Sequence, residues 1–575
     1  MRSRLVLVNT NLTYEVRSNP NQVMNFPMAL LIVGRIAENA GFDVGIVDLQ
    51  DEIRTSRIPL DNNFFDMATE LILEEDSDLY GFSCRADAIV TALNLARKVK
   101  SARPDSKIML GGAQATFADM EIMQNLPFID FIIRGEVENS LPKFLSRIKE
   151  DAEISDLPGI TYRDGDRIIK TPDAPIPLDL DELPSPAYHL MKRDVEENSV
   201  IFMHIGRGCP NNCAFCAAPI FNTNKLRLKS PKKIVEEINE LSVLFNTSRF
   251  LFGHDHFMAK RSWVLELCHR LKNNKNKITF FSMGHFLNVD EETLKELSLA
   301  GCRILQFGLE SMSENTQKFI NKNLALDRVF PVLQLCSRYN IHGTLSVIVG
   351  IPREKEEDLD KTLHFLLRAR QIPGCVPEIR LLAPMPGTPI YNRYLKTTDN
   401  LRYTGIFPAM LETPAVTLKE NLDLIQSFPR IFCNYFTIKP EYLPLSLVLE
   451  ISRTYQNLVF TFPFSTLVAL SDLKWGACRL MRELKKWHRK TTGKKNRYLL
   501  LSRGELGEIF PSFLEEMYER KKISFFLTSK FVQAEKRTVI AQVEYLNSIV
   551  RTEEKPIRNL FQRESLYGDT GLFCF

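Results

Sequence analysis

The sequence predicts an α/β protein built from two parallel sheets followed by a mostly helical C-terminal part. Three observations carry this reading. From Leu5 to about Lys149, short β-rich runs alternate with helical patterns, and strands separated by helices build a parallel, doubly wound sheet. A second alternating series from Val200 to Leu382 supplies six strand–helix units, the pattern of a partial (β/α)6 barrel of the TIM type with its chemistry at the strand C-termini. After Tyr391 the alternation stops, and the remainder reads as helical with no repeat.

The front strands fall at Leu5–Asn9, Val44–Asp48, Asp78–Ser83, Lys107–Leu110 and Phe128–Ile133, with helices over Pro27–Ala40 and Ala86–Lys100. In such a sheet a ligand sits beyond the carboxyl ends of the strands, so the loops after Asn9, Asp48, Ser83, Leu110 and Ile133 line that edge. Residues 159–171 alternate around Asp164-Gly165 and predict a hairpin. Pro172–Pro186, rich in Pro and Asp, predicts a linker. The second series has strands at Val200–Ile205, Arg249–Phe252, Ile278–Phe281, Arg303–Phe307, Thr344–Val349 and Glu378–Leu382. Helical patterns intervene at Lys232–Leu244, Ser262–Leu271, Glu291–Ala300, Leu326–Arg338 and Glu356–Arg370. The expected division is a front domain over 1–150, hairpin and linker over 151–195, a barrel over 196–392, and a helical domain over 393–575 that is a candidate for substrate binding.

The chain has 575 residues, too many for one core. Hydrophobic residues make up 44% and charged residues 25%, the balance of a globular protein and not of a disordered one. A net charge of +4 gives no reason to expect nucleic acid as partner. The opening Met1-Arg-Ser-Arg-Leu-Val-Leu-Val-Asn9 has too short an apolar run for a signal peptide and reads as a strand. The longest apolar stretch, Leu458–Leu470, is 13 residues long and contains Pro463, short of the ~20 needed to span a bilayer. Beside the basic Lys485–Arg497 it reads as a core segment next to a solvated face, with lipid contact as the alternative. The eleven cysteines are an odd number and mostly isolated in apolar segments, which suits a reducing cytoplasm. Cys574, in the closing Leu572–Phe575, reads as a chance thiol in a tail.

Three cysteines do cluster, in Gly206-Arg-Gly-Cys-Pro-Asn-Asn-Cys-Ala-Phe-Cys216, directly after the first strand of the second series. Cys209, Cys213 and Cys216 offer three thiolates, one fewer than a fully ligated 4Fe-4S cluster uses, which leaves one iron open. The alternative is zinc, but no fourth Cys or His follows at the spacing of a zinc ribbon.

This loop resembles the signature of radical S-adenosylmethionine (SAM) enzymes, including the aromatic Phe215 before the last cysteine. Gly308-Leu-Glu-Ser311 is similar to the family's segment at the end of the fourth strand, which implies that Glu310 and Ser311 contact S-adenosylmethionine. Gly350-Ile-Pro-Arg-Glu354 and Pro384-Met-Pro-Gly-Thr-Pro389 resemble later turns of the family, so the likeness covers roughly 198–390. Where the family often has Gly-Gly-Glu after strand two, this chain has Phe252-Gly-His-Asp-His256. Asp255 is a candidate acceptor for the cofactor's amino group, and the alternative is that His254 and His256 are polar loop residues only.

The first 150 residues resemble the Rossmann-like cobalamin-binding domain fused to many such enzymes, through Gly111-Gly-Ala-Gln-Ala-Thr116 and Arg134-Gly-Glu-Val-Glu138. The resemblance implies cobalamin contacts at Ser83, Arg85, Gly111, Gly112, Gln114, Gly135 and Glu136, because glycines let a backbone approach a large flat ligand closely. No Asp-x-His-x-x-Gly element is present, so no histidine is assigned to cobalt. Arg85, directly after the third strand, is a candidate for the lower face of cobalt, since a guanidinium has no lone pair to donate. Pairing with Asp87 at a helix start is the alternative.

The family resemblance implies a cobalamin-dependent class B methylase: one S-adenosylmethionine methylates cobalamin, and a second yields a 5′-deoxyadenosyl radical that takes a substrate hydrogen. The substrate then receives the methyl group from methylcobalamin. Methylation of an unactivated carbon in a natural-product, peptide or lipid substrate is the leading expectation, with electrons from a donor such as flavodoxin or ferredoxin. Radical rearrangement or cyclisation without methyl transfer is the second, and a non-enzymatic carrier the third.

Overall fold

In the computed structural model, residues 4–12, 23–24, 27–191, 199–395, 400–406, 414–494 and 496–520 are described, together with Val532 and Glu535. The expected tail with Cys574 lies outside the described residues. The chain opens with β1 (Arg4–Asn9), β2 (Val23–Met24) and β3 (Asp43–Asp48), continues through β4 (Leu79–Ser83), β5 (Lys107–Gly111) and β6 (Phe131–Ile133), and adds the hairpin β7 (Ile160–Asp164) and β8 (Arg167–Lys170). All but β2 form one sheet in the order β3-β1-β4-β5-β6-β7-β8. Strands β1 and β3 to β6 are parallel. Helices such as Met28–Asn39 and Ile89–Ala102 bury apolar residues against this sheet, and strands covered on both faces carry continuous apolar runs. That is why β1 and β3 show no polar alternation. The predicted hairpin forms, but it is no separate unit: β7 pairs antiparallel with β6 and extends the front sheet.

The second sheet begins with β9 (Val200–His204). After it come the short pair β10 (Gly206–Arg207) and β11 (Arg227–Leu228), then β12 (Arg249–Gly253), β13 (Thr279–Gly284), β14 (Cys302–Glu310), β15 (His342–Val349) and β16 (Cys375–Leu381). Its order is β16-β15-β14-β13-β12-β9-β2. The six expected strands are parallel, and β2, which the sequence reading did not contain, joins from the front segment beside β9. The return helices start where expected because their caps are present: Ser230 accepts from the Lys233 amide and Asp290 from that of Thr293. Strand β14 continues past its predicted end at Phe307 to Glu310. The open edge at β16 is covered, as the Gln456 side chain accepts from the Ile379 amide and donates to the Pro377 carbonyl. Covered edges do not recruit further strands.

The C-terminal part is mostly helical and serves both units. Residues 414–436 pack into the front-domain core through Val416, Ile425, Phe432 and Tyr435. Leu458–Leu470 lies in two helices whose Leu458, Val459, Phe460 and Leu470 are buried, as the core reading expects. The helix Ala477–Thr492 buries Leu480, Met481 and Leu484 and turns Lys486 and Lys490 to solvent. Among the described residues no helix is long and apolar enough to cross a membrane.

Candidate functional site

The cysteine loop grows out of the C-terminal end of β9 and is closed behind by the β10–β11 pair. Backbone bonds fix its middle: the Ala214 amide donates to the Ile320 carbonyl at 2.8 Å, and the Ala214 carbonyl accepts from Ile390 at 3.0 Å. Asn321 holds the Asn212 carbonyl at 2.9 Å. All three thiols are half-buried. Burial pushes all three pKa values up, that of Cys216 to about 12. Thiols so placed gain from a metal that deprotonates them.

Opposite the loop, β14 ends at Glu310, a non-glycine residue with φ of +65°. Backbone held in that region is strained and is sustained by its surroundings. The Glu310 carboxylate accepts from the Lys322 ammonium at 2.7 Å, with both side chains more than nine-tenths buried. Burial would lower the Lys322 pKa, but Glu310 and Cys213 more than offset it, and the group stays firmly charged. The ammonium also lies 5.9 Å from the Phe215 ring centroid. On the other side, Asp255 accepts from the Asn222 amide at 2.9 Å. Burial raises its pKa, with Asn222 and the Gly208 amide opposing. His204, His254, His256 and His285 gather along this edge, the rings of His256 and His285 stacked at 4.4 Å. Burial lowers their pKa values to about 3 or 4, so all are neutral imidazoles near pH 7.

The front sheet turns its own carboxyl edge to this loop. Phe117, after β5, meets Phe221 edge-on at 6.1 Å. Glu136 accepts from Arg207 at 2.7 Å and from both terminal nitrogens of Arg227, and Glu138 accepts from Arg207 at 2.6 Å. The Arg134–Glu138 segment thus clamps the two arginines that flank the cysteine loop. At the end of β5, an alanine in place of Gly111 would meet only the Ile133 carbonyl at 3.8 Å, and one in place of Gly135 nothing within 4 Å.

Residues 203–366 match the Radical SAM superfamily model, and residues 24–145 match the B12 binding domain model. The chain carries a B12 binding domain followed by a radical SAM domain. It is similar to an uncharacterized methyltransferase of Pyrococcus horikoshii, 24% identical over 66% of this chain and 85% of that protein. It is also similar to the anaerobic magnesium-protoporphyrin IX monomethyl ester cyclase of Cereibacter sphaeroides, 25% identical over 65% of this chain and 64% of the relative. The fold is that of the radical S-adenosylmethionine methyltransferase TsrM from Kitasatospora setae, with a TM-score of 0.59 at 15% identity over 86% of this chain and all of that one.

The radical SAM loop fits an iron–sulfur cluster better than zinc. Among the described residues the three sulfurs do not lie within 4.8 Å of one another, whereas Zn–S bonds of about 2.3 Å bring tetrahedral ligands to about 3.8 Å. The B12 domain fits a flat ligand at Gly111 and Gly135, where the backbone is bare. Gly135, at φ +69°, also serves a turn, and at Gly112, with φ of +105°, a Cβ would in addition sit 2.9 Å from the Cys84 carbonyl. All nine histidines lie at or beyond His189, so the B12 domain has none for cobalt.

Phe215, Asp255 and Glu310 are gathered around the radical SAM loop as the sequence suggests. Three other expected residues turn their side chains elsewhere. The Ser311 hydroxyl is buried on Thr362 at 3.0 Å. The Gln114 amide donates to the Ile431 carbonyl at 2.9 Å, and Glu136 is taken by Arg207 and Arg227. Any contact Glu136 makes with a corrin is through its backbone, since both its carboxylate oxygens are taken. Ser83 is half-buried at the end of β4, its carbonyl accepting from Thr10. Arg85 follows it and holds the buried Asp87 at 3.1 and 3.2 Å, the pairing that was its alternative. Sequence reasoning missed Lys322, Arg207 and Arg227. For Lys322 a signal existed: it lies between Asn321 and Asn323, both at positive φ, and asparagine is a residue that tolerates such a turn.

Proposed function

We propose that this protein is a cobalamin-dependent radical SAM methyltransferase acting on an unactivated carbon of a small-molecule, peptide or lipid substrate. The observation that carries the reading is the juxtaposition of two strand-end edges, one with three half-buried thiols and the other with bare glycine backbone, joined at Phe117 and Phe221. Similarity to two named methyltransferases supports methyl transfer over other radical chemistry.

Cys209, Cys213 and Cys216 would hold the cluster, and the open edge at Gly111 and Gly135 would take the corrin. Together with S-adenosylmethionine these groups supply a hydrogen-abstracting radical and a transferable methyl group. The chain's own part is placement. Lys322 and Glu310 set fixed charges beside Phe215, with the carboxylate an acceptor for an ammonium. Asp255 offers a second acceptor while tying the far end of the loop through Asn222. The buried, neutral His254, His256 and His285 exclude water from that edge. Arg85, steered by Asp87, stands after β4 as a residue that cannot coordinate cobalt. An external one-electron donor of the flavodoxin or ferredoxin kind is required. The ten described cysteines are all free, which fits a reducing cytoplasm.

The test is chromatographic. Anaerobically reconstituted protein, supplied with cobalamin, reductant and S-adenosylmethionine, should release S-adenosylhomocysteine as well as 5′-deoxyadenosine. Release of 5′-deoxyadenosine without S-adenosylhomocysteine favours rearrangement or cyclisation, the reading to which similarity to the cyclase lends support.

A further inference from the structure

The segment after the helix Glu314–Phe319 carries a buried cation to the cysteine loop. The Ile320 carbonyl accepts from the Ala214 amide at 2.8 Å, and the Asn321 side chain donates to the Asn212 carbonyl at 2.9 Å. Residues 320 and 321 are thus bonded to the stretch between Cys209 and Cys216. Asn321 and Asn323 both take positive φ, and Lys322 stands at the tip of the turn they make. Its ammonium lies 5.9 Å from the ring centroid of Phe215, the residue before Cys216. Gly308 on β14 leaves room for this ammonium and its Glu310 partner, since a Cβ there would collide with both Glu310 Oε1 and Lys322 Nζ.

Mutual attraction seldom returns the hydration that so buried an ion pair gives up, and apolar side chains of the same volume would hold the fold as well. What the pair supplies and apolar side chains cannot is a field at the thiols. The ammonium faces them more directly than the carboxylate does. At Cys213 burial raises the pKa most, Lys322 opposes it, and Glu310 acts in the other direction but more weakly than Lys322. At Cys209 burial again dominates, and Lys322 is among the groups that oppose it. An electron added to an iron–sulfur cluster in this loop adds a negative charge. Burial penalises that charge, and a fixed cation beside the thiolates offsets the penalty; net charge and exposure are levers that set such a potential.

Resting on the radical SAM reading above, we infer that Lys322 is a positioning residue for the electron-transfer step. Its ammonium, held in place by Glu310, raises the reduction potential of the cluster bound by Cys209, Cys213 and Cys216 and so brings it within reach of a flavodoxin- or ferredoxin-type donor. The step moves one electron from that external donor to the oxidised cluster, with no bond made or broken. The two members of the pair act with opposite signs: the cation favours the reduced cluster, and the carboxylate limits how far.

The experiment is a redox titration of the full chain, reconstituted anaerobically and read by electron paramagnetic resonance of the reduced cluster. It is run without S-adenosylmethionine, so that only the chain's own charges act. Lys322→Met should make the cluster harder to reduce and Glu310→Gln easier. Each shift should be at least about threefold in the reduction equilibrium constant, or ~28 mV at about 59 mV per tenfold for one electron. A unit charge within roughly 10 Å, at an effective dielectric of about 20, is worth more than that. Lys322→Arg, which keeps the charge, and the double variant Lys322→Met/Glu310→Gln should both lie nearer wild type than Lys322→Met does. A loosened loop would move both single variants in one direction, so opposite signs separate the field from damage to the fold. Should Lys322→Met fail to hold a cluster, Glu310→Gln, which retains the ammonium, decides by the sign of its shift. Shifts smaller than threefold, shifts of the same sign, or a Lys322→Arg potential as displaced as that of Lys322→Met each overturn the inference. Wild-type protein that takes up no cluster overturns the radical SAM reading and this inference together, whereas a normal cluster with unmoved potentials in the variants overturns this inference alone.

Discussion

Replacing Lys322 with methionine isolates the charge arrangement at the site. The ammonium and the Glu310 carboxylate are 2.7 Å apart and both more than nine-tenths buried. Removing one partner leaves an uncompensated buried charge, at a cost of about 3–5 kcal/mol. A unit of barrel size shifts its Tm by about 2–4 °C per kcal/mol, so Lys322→Met should melt roughly 6–20 °C below wild type at pH 8. Adding Glu310→Gln removes the stranded charge and should recover much of the loss. Calorimetric scans of cluster-free protein at pH 8 read both effects. A single variant within about 2 °C of wild type at pH 8, or a double variant no more stable than the single, would refute the reasoning.

Gly111→Ala meets no close neighbour, so it should keep the wild-type Tm while lowering cobalamin retention, read by absorbance after gel filtration; full retention would show that no corrin lies over Gly111. Glu136→Ala strands the buried guanidinium of Arg227; it should destabilise the protein by about 3–5 kcal/mol and expose the linker at Pro177, whose carbonyl Arg227 also holds, to limited proteolysis. Burial pushes the Glu354 carboxyl up to about 8. Its folded pKa thus exceeds the unfolded one, and stability is lost as pH rises toward 8. Between pH 6 and pH 8 this amounts to about 2–3 kcal/mol, a slope that Glu354→Gln should flatten in thermal scans.

What the sequence made legible was local. The cysteine loop was readable because its ligands lie within eight residues of one another, and the parallel strands because burial on both faces leaves continuous apolar runs in β1 and β3. What depended on distant partners was not. Glu136 meets Arg207 and Arg227 across 71 and 91 residues, and nothing near Arg134-Gly-Glu-Val-Glu138 announces that its carboxylates face arginines and not a ligand. Gln114 similarly ends on Ile431, 317 residues away. Ser311 was expected to follow Glu310 toward the cofactor, yet after Glu310 adopts a positive φ the next side chain turns outward to Thr362. Strand β2 is two residues long, too short to show any period.

The proposed chemistry requires an open-sited iron–sulfur cluster held by Cys209, Cys213 and Cys216. Electron paramagnetic resonance of anaerobically reconstituted, dithionite-reduced protein, recorded before and after adding S-adenosylmethionine, tests it most directly. The wild-type protein and Cys268→Ala should hold about four irons, the content of one such cluster, and give a reduced-cluster signal that changes on addition, whereas Cys213→Ala should show neither iron nor signal. Tightly bound zinc in place of iron, or a cluster that survives Cys213→Ala and ignores S-adenosylmethionine, would contradict the account.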